Sequence, residues 1–435
     1  MEERIESMSD SKTIKFDVCI IGTGMAGMAS ALFAANRGLS TVQVGSTGEI
    51  MFASGFLDLL GVHPVEEKRS LNNPWEGIGE LCKDIPNHPY ARIKEQDIRA
   101  AFDEFLSFLR DAGLPYQRRN ERNCQVITSL GTLKNTYCVL KTMWNGVEAL
   151  ETKKPCLLVD IRGFKGFSAK QMAAALQDVW PDLRTARISF PETEHMSEVY
   201  TEQMARALDS QQKREKLIEV VKPHVKDAQA VGMPGIFGMS RTNEVIADLS
   251  EGFGMPVFEI PTMPPSVSGV RLKEAFEERI PEKGVRLFSQ EQVLNVHHGT
   301  DGYFALDIGQ DTTERTIKAR GVILASGRFL GKGLHADRKH IRETIFDLPV
   351  TQPPDRTLWH RKDFLDSRGH PINRAGLEID DSFRPLDSSG HPAFKLLFAA
   401  GSILAHQDWM RMKCGSGLAL ATGFAAVQSF VRLCK

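Results

Sequence analysis

Apolar and polar positions along the chain alternate between short buried runs and helical stripes. Val18–Ile21 is a short apolar run, long enough for a buried parallel strand. Residues 25–36 are rich in Ala and Met, with no Pro and no Gly beyond Gly27, so the run predicts a helix that Gly38 closes. Thr41–Val44 predicts a second strand. Much later, RLKEAFEERIPEKG reads as an amphipathic helix closed by Gly284. VRLFSQEQVLNVHH follows as a strand, then a turn at Gly299–Gly302, then YFALDIG and TERTIKARGVILASG as two more strands. The last apolar run stops at Ala325, Ser326 and Gly327. Residues 395–401 predict another short buried strand, and 414–433 an apolar C-terminal helix. Between these pieces lie helical patterns at Ile98–Ala112, Ser168–Val179 and Glu202–Val221, with apolar runs at Cys156–Val159 and Ala228–Val231.

The first strand-helix-strand unit carries Gly22, Gly24 and Gly27 as G-x-G-x-x-G. The first glycine permits the tight turn, the second lets a phosphate reach the backbone, and the third packs the helix on the strand. With a strand before it and a helix after it, the finger predicts a dinucleotide phosphate site, with Met25 and Ala26 in the helix turn beneath the anion. An acid that would hold a ribose is due roughly 20 residues further on. Gly45 stands there instead, followed by Ser46, Thr47 and Gly48. An adenosine half would then be held by hydroxyls and backbone, with Ser46 and Thr47 near the ribose, or the cofactor lacks one. On that reasoning Gly45→Glu should favour a cofactor with an adenosine half over one without it.

Small residues recur where a ring system would approach: Ser54 and Gly55 after the second strand, Ala325 to Gly327, Gly401, and Gly415, Ser416 and Gly417 at the start of the last helix. A helix start aimed at a flavin would stabilise charge on the reduced ring. A nicotinamide enzyme would use the finger without a meander returning to the sheet, so it ranks below a flavoprotein. The pattern predicts an α/β protein: a Rossmann-like, two-dinucleotide-type flavoprotein domain with a β-meander over 12–79, 266–336 and 394–435. An inserted α/β second domain for substrate or partner is expected over 80–265 and 337–393.

Composition narrows the class. The chain has 435 residues, 42% hydrophobic and 25% charged, with a formal net charge of −1. Near-neutrality gives no electrostatic case for nucleic acid. No run approaches the ~18 apolar residues of a membrane span, and the polar N-terminus does not read as a signal peptide, so a cytoplasmic protein is expected. The 7 cysteines include no C-x-x-C pair, which argues against zinc or an iron–sulfur cluster on this chain. For catalysis the sequence leaves many cations open: Arg271, Arg328, Arg342, Arg384, His406, Arg411 and Lys413. His406 and Lys413 flank the segment leading into the last helix, and Arg271 follows the proline-rich IPTMPPSVSG, a stiff crossover or cleft wall.

The motifs IIGTGMAGM, ASGFLDLL, TSLGTLKNTY, PTMPPSVSGVRL, ILASGRFLGKGL, IRETIFDLPV, DDSFRPLD, LFAAGSILA and CGSGLALA are similar to those of the B subunits of anaerobic glycerol-3-phosphate dehydrogenase. The resemblance implies a flavoprotein that carries FMN, with FAD the physical alternative. It implies two partners: an A subunit that carries FAD, and an iron–sulfur C subunit that anchors the pair peripherally at the inner membrane. The implied reaction oxidises sn-glycerol 3-phosphate to dihydroxyacetone phosphate, with electrons passed to quinone in fumarate or nitrate respiration. A flavin-bearing assembly or relay protein, and an independent fumarate-reductase-like flavoprotein, remain alternatives. The segment AHQDWMRMKCGSG departs from the family pattern in being more basic and bulkier.

Overall fold

The computed structural model describes residues 14–45 and 49–434. Its elements include β1 (Lys15–Ile21), α1 (Met25–Asn36), β2 (Thr41–Gly45) and α2 (Glu95–Asp111). A middle set follows: β3 (Cys156–Ile161), β4 (Leu183–Ile188), β5 (Ala230–Pro234), β6 (Val257–Ile260) and α3 (Val267–Arg279). The chain returns through β7 (Arg286–Ser289), β8 (Gln292–His298), β9 (Phe304–Gly309), β10 (Arg315–Leu324), β11 (Leu397–Ala399) and α4 (Gly415–Leu433).

The main sheet has seven strands and runs β7-β2-β1-β10-β9-β8, with β11 also on β10. The β7, β2, β1 and β10 strands pair in parallel, whereas β10-β9 and β9-β8 are antiparallel. The second half of β1, Val18–Ile21, is apolar, as a strand between two parallel neighbours should be; Val18, Cys19 and Ile20 are fully buried. α1 and α4 lie against each other, their small residues letting the helices approach and Phe33 meeting Phe424 edge-on at 5.2 Å. A second, wholly parallel sheet runs β6-β5-β3-β4, with its own core around Val159, Met233, Phe237 and Leu249.

Two expectations change. VRLFSQEQVLNVHH is two strands rather than one: Gln290 takes a left-handed φ of 64° and its N–H bonds the Gly45 carbonyl at 2.9 Å, turning the chain from β7 to β8. The helix expected at 202–221 breaks at Asp209, whose carboxylate instead accepts the N–H groups of Met239 and Arg241, each at 3.1 Å. Ile98, Phe102, Tyr137 and Val147, and later Ile341, Trp359 and Phe383, bury themselves in the core that β1 occupies. α2 lies against α4 and packs the Phe108 ring, tilted, on Phe276 of α3 at 4.8 Å, which ties it to the first core rather than to the inserted sheet.

Candidate functional site

Two hollows meet at the glycine finger. One, of about 390 Å³, is bounded by Met25 and Ala26 of α1, Ser54 and Phe56, Gly327, and Gly415 and Ser416 at the start of α4. The other, of about 300 Å³, lies on the opposite side, between Gly22, Thr23, Gly45, Glu291, Ser326 and Lys332. Both are lined by Gly24 and Ala325. The geometry follows from the parallel strands. β1 and β10 end side by side, with Ile21 opposite Leu324, so their carboxyl-end turns stand together and leave a crevice on either side. Gly24 caps α1 with extended backbone and no side chain over the helix end, leaving the first-turn amides for a ligand.

This shape fits a flavin dinucleotide: a ring chamber, a phosphate crossing at the finger, and a second chamber for adenosine. FMN would leave the second chamber without a function. The finger glycines divide the work. A Cβ on Gly22 would fall 2.2 Å from the Ala325 carbonyl oxygen, and one on Gly27 would fall 2.0 Å from the Gly22 carbonyl oxygen. Gly22 and Gly27 therefore hold the turn, while Gly24 faces both hollows.

Most of the small residues singled out from the sequence converge here: Gly22, Gly24, Met25, Ala26, Ser54, Ala325, Ser326, Gly327, Gly415 and Ser416 line one hollow or the other. Gly55, Gly401 and Gly417 serve packing instead. Gly55 has φ 88° and lies against Leu140 and Ser268. Gly401 leaves space for Ala26 and gives its N–H to the Thr422 hydroxyl. Gly417 gives its N–H to the Asp58 carbonyl at 2.6 Å, holding the start of α4 against residues 56–60. Ser46 lies outside the described residues.

The cations sort by environment. Arg271 is not at the site: its guanidinium is 1% exposed, paired with Glu259 at 2.8 Å and bonded to the Gly238 carbonyl at 2.8 Å, where it ties α3 to the inserted sheet. Burial alone would raise the Glu259 carboxyl, but the Arg271 charge and hydrogen bonds outweigh it and hold the group below its usual value. His406 is bonded to Glu378 and lines neither hollow. Arg328 borders the ring chamber but spends its donors on the carbonyls of Ser402, Gln407 and Asn373, clamping three loops; burial pushes it down to about 10. Lys413 stands in left-handed backbone with its stem against Gly61. Burial, and then the charge of Lys134, lower its pKa.

The polar group that sequence reasoning missed is an ion pair on the wall of the ring chamber. Lys134 Nζ holds Asp58 Oδ2 at 2.7 Å, both side chains mostly buried. The other oxygen, Asp58 Oδ1, is buried with no partner. Asp58 comes from ASGFLDLL and Lys134 from TSLGTLKNTY, so two motifs far apart in the chain meet at one point. Their separation of 76 positions left no local signal. Among the described residues, no cluster of His, Cys, Asp or Glu could hold a metal ion. Among them, too, no helix is long and apolar enough to cross a membrane.

Residues 17–418 match the family described as an FAD binding domain. The match indicates FAD and gives no support to the FMN assignment. A protein of Aliivibrio fischeri strain MJ11, named as the B subunit of anaerobic glycerol-3-phosphate dehydrogenase, is 28% identical, over 96% of each chain. The protein of the same name from Vibrio vulnificus strain YJ016 is 29% identical over 95% of this chain and 96% of its own. A solved 3-ketosteroid Δ1-dehydrogenase from Sterolibacterium denitrificans superposes with a TM-score of 0.43 at 12% identity, covering 97% of this chain and 100% of its own.

Proposed function

The chain belongs to the FAD binding domain family, and on that premise we propose that it is the flavin-carrying B subunit of an anaerobic glycerol-3-phosphate dehydrogenase. The full-length similarity to proteins of that name supports the reading, and one observation carries its chemistry: the Asp58–Lys134 pair beside Lys413 at the ring chamber. Oxidising a secondary alcohol takes a hydride from carbon and a proton from the hydroxyl. When bound, FAD supplies the two-electron acceptor. Asp58, with one oxygen held by Lys134 and the other unpartnered, takes the hydroxyl proton. Lys134, on the chamber wall, would offer positive charge to a phosphomonoester. Met25, Ala26, Gly415 and Ser416 would hold the ring, and the α1 amides would hold the phosphates.

The rim of this chamber favours a partner. Leu330 is 69% exposed and Trp409 39%, and both line the hollow, so apolar surface surrounds its mouth. On this reading a companion protein covers the rim and receives the electrons, and attachment to the membrane comes through the assembly. The test is the reconstituted complex. Glycerol-3-phosphate-dependent dye reduction should fall sharply in Asp58→Asn with flavin content unchanged. Unaltered turnover would remove Asp58 from the chemistry. Full turnover by a complex lacking flavin on this chain would remove the whole reading.

A further inference from the structure

The acid absent from the end of β2 has a counterpart on the neighbouring strand. β7 runs parallel to β2 with Ser289 opposite Gly45, so the two strands end level with each other. The left-handed turn at Gln290, fixed by its N–H bond to the Gly45 carbonyl, brings Glu291 next in the chain. Glu291 lines the second chamber together with Gly45, Gly22 and Thr23. Its side chain is only 13% exposed. One oxygen, Oε1, lies 3.6 Å from Arg315 Nη2; the other, Oε2, is buried and has no hydrogen-bond partner. A buried carboxylate oxygen without a donor is costly unless a ligand supplies one.

We propose that Glu291 is the carboxylate that holds the adenosine ribose of FAD, supplied by β7 in place of the missing group on β2. The inference rests on the FAD reading of the two chambers. A vicinal diol offers two hydroxyl donors, the complement of a carboxylate with a free oxygen. FMN ends at its phosphate: its ribityl hydroxyls lie on the ring side, and it has no ribose beyond the phosphate to offer Glu291.

The experiment titrates flavin-free protein with FAD and, separately, with FMN, following quenching of flavin fluorescence, for wild type, Glu291→Gln and Glu291→Ala. Circular dichroism melts check that each variant is folded. Loss of a charge-assisted contact should weaken FAD by about ten- to a hundredfold in Glu291→Ala, less in Glu291→Gln, and leave FMN unchanged. Wild-type preference for FAD with unaltered FAD affinity in both variants would overturn the role of Glu291 while leaving the FAD reading intact. An equal loss for FAD and FMN would also overturn it, since the residue would then act on the fold. A wild type that binds FMN as tightly as FAD would overturn both.

Discussion

Gly45→Ala should weaken FAD binding, and Gly45→Glu should not rescue it. The structure places a Cβ at position 45 only 2.6 Å from Thr23 Cγ2, and 2.9 Å from both Thr23 Oγ1 and the Thr23 backbone nitrogen. The methyl group can turn aside, but the backbone nitrogen lies within the finger, between Gly22 and Gly24. Such overpacking costs about 1–3 kcal/mol when the surroundings must shift. The shift falls on the segment whose amides face the phosphates, where one hydrogen bond to a charged group contributes about 1.5–3 kcal/mol. If one such bond is lost, the FAD dissociation constant rises about ten- to a hundredfold. The expectation drawn from sequence, that a glutamate here restores a missing ribose contact, is thus reversed: its Cβ meets Thr23 before its carboxylate can reach anything. The assay is fluorescence titration of flavin-free wild type, Gly45→Ala and Gly45→Glu with FAD, alongside thermal melts. Tighter FAD binding by Gly45→Glu than by wild type would refute the steric argument.

Other outcomes follow from the same geometry. Gly24→Val should abolish flavin binding while the melting transition persists, because this residue borders both chambers; retained flavin would make the finger a structural turn only. In the assembled enzyme Asp58→Asn should lower turnover by about 10²–10⁴-fold, the usual contribution of a general base, as dye reduction will measure. Leu330→Asp should weaken association with a companion protein in analytical ultracentrifugation, and undiminished association would place the interface elsewhere. Burial lowers the His88 imidazole to about 3, while its Nδ1 accepts the Tyr90 N–H at 3.1 Å. Below about pH 6.5 the unfolded chain therefore takes a proton that the folded chain refuses, and stability falls as pH falls, by about 2 kcal/mol at pH 5. His88→Asn keeps an acceptor and should flatten that part of the melting temperature between about pH 7 and pH 5; an unchanged slope would count against it.

Much of the flavin domain is legible because its signals are local. The apolar run of β1, the spacing of Gly22, Gly24 and Gly27, and the small residues at 325–327 and 415–416 each announce a backbone that something must approach closely. Placement of the middle of the chain is not local. The stripe of α2 tells which face is apolar, but whether that face meets Phe276 or the inserted sheet depends on the return of α3 from far along the chain. The Asp58–Lys134 pair was hidden for the same reason: each residue alone reads as a surface charge, and only the fold makes them partners.

Glu291 shows why a motif can mislead when read as a string of positions. The fingerprint asks for an acid on β2, yet the physical requirement is only a carboxylate near the ribose, and a parallel neighbour that ends level can meet it equally well. Here the close approach of Thr23 excludes any side chain at Gly45. The β7–β8 turn then matters more than its length suggests, because Gln290 must be left-handed for Glu291 to follow it into the chamber. A sequence reading that treats 285–298 as one alternating strand assigns Glu291 a face by parity, and parity fails wherever a left-handed residue resets the count. The register between β7 and β2, rather than the spacing along the chain, is what sets the reach of this carboxylate.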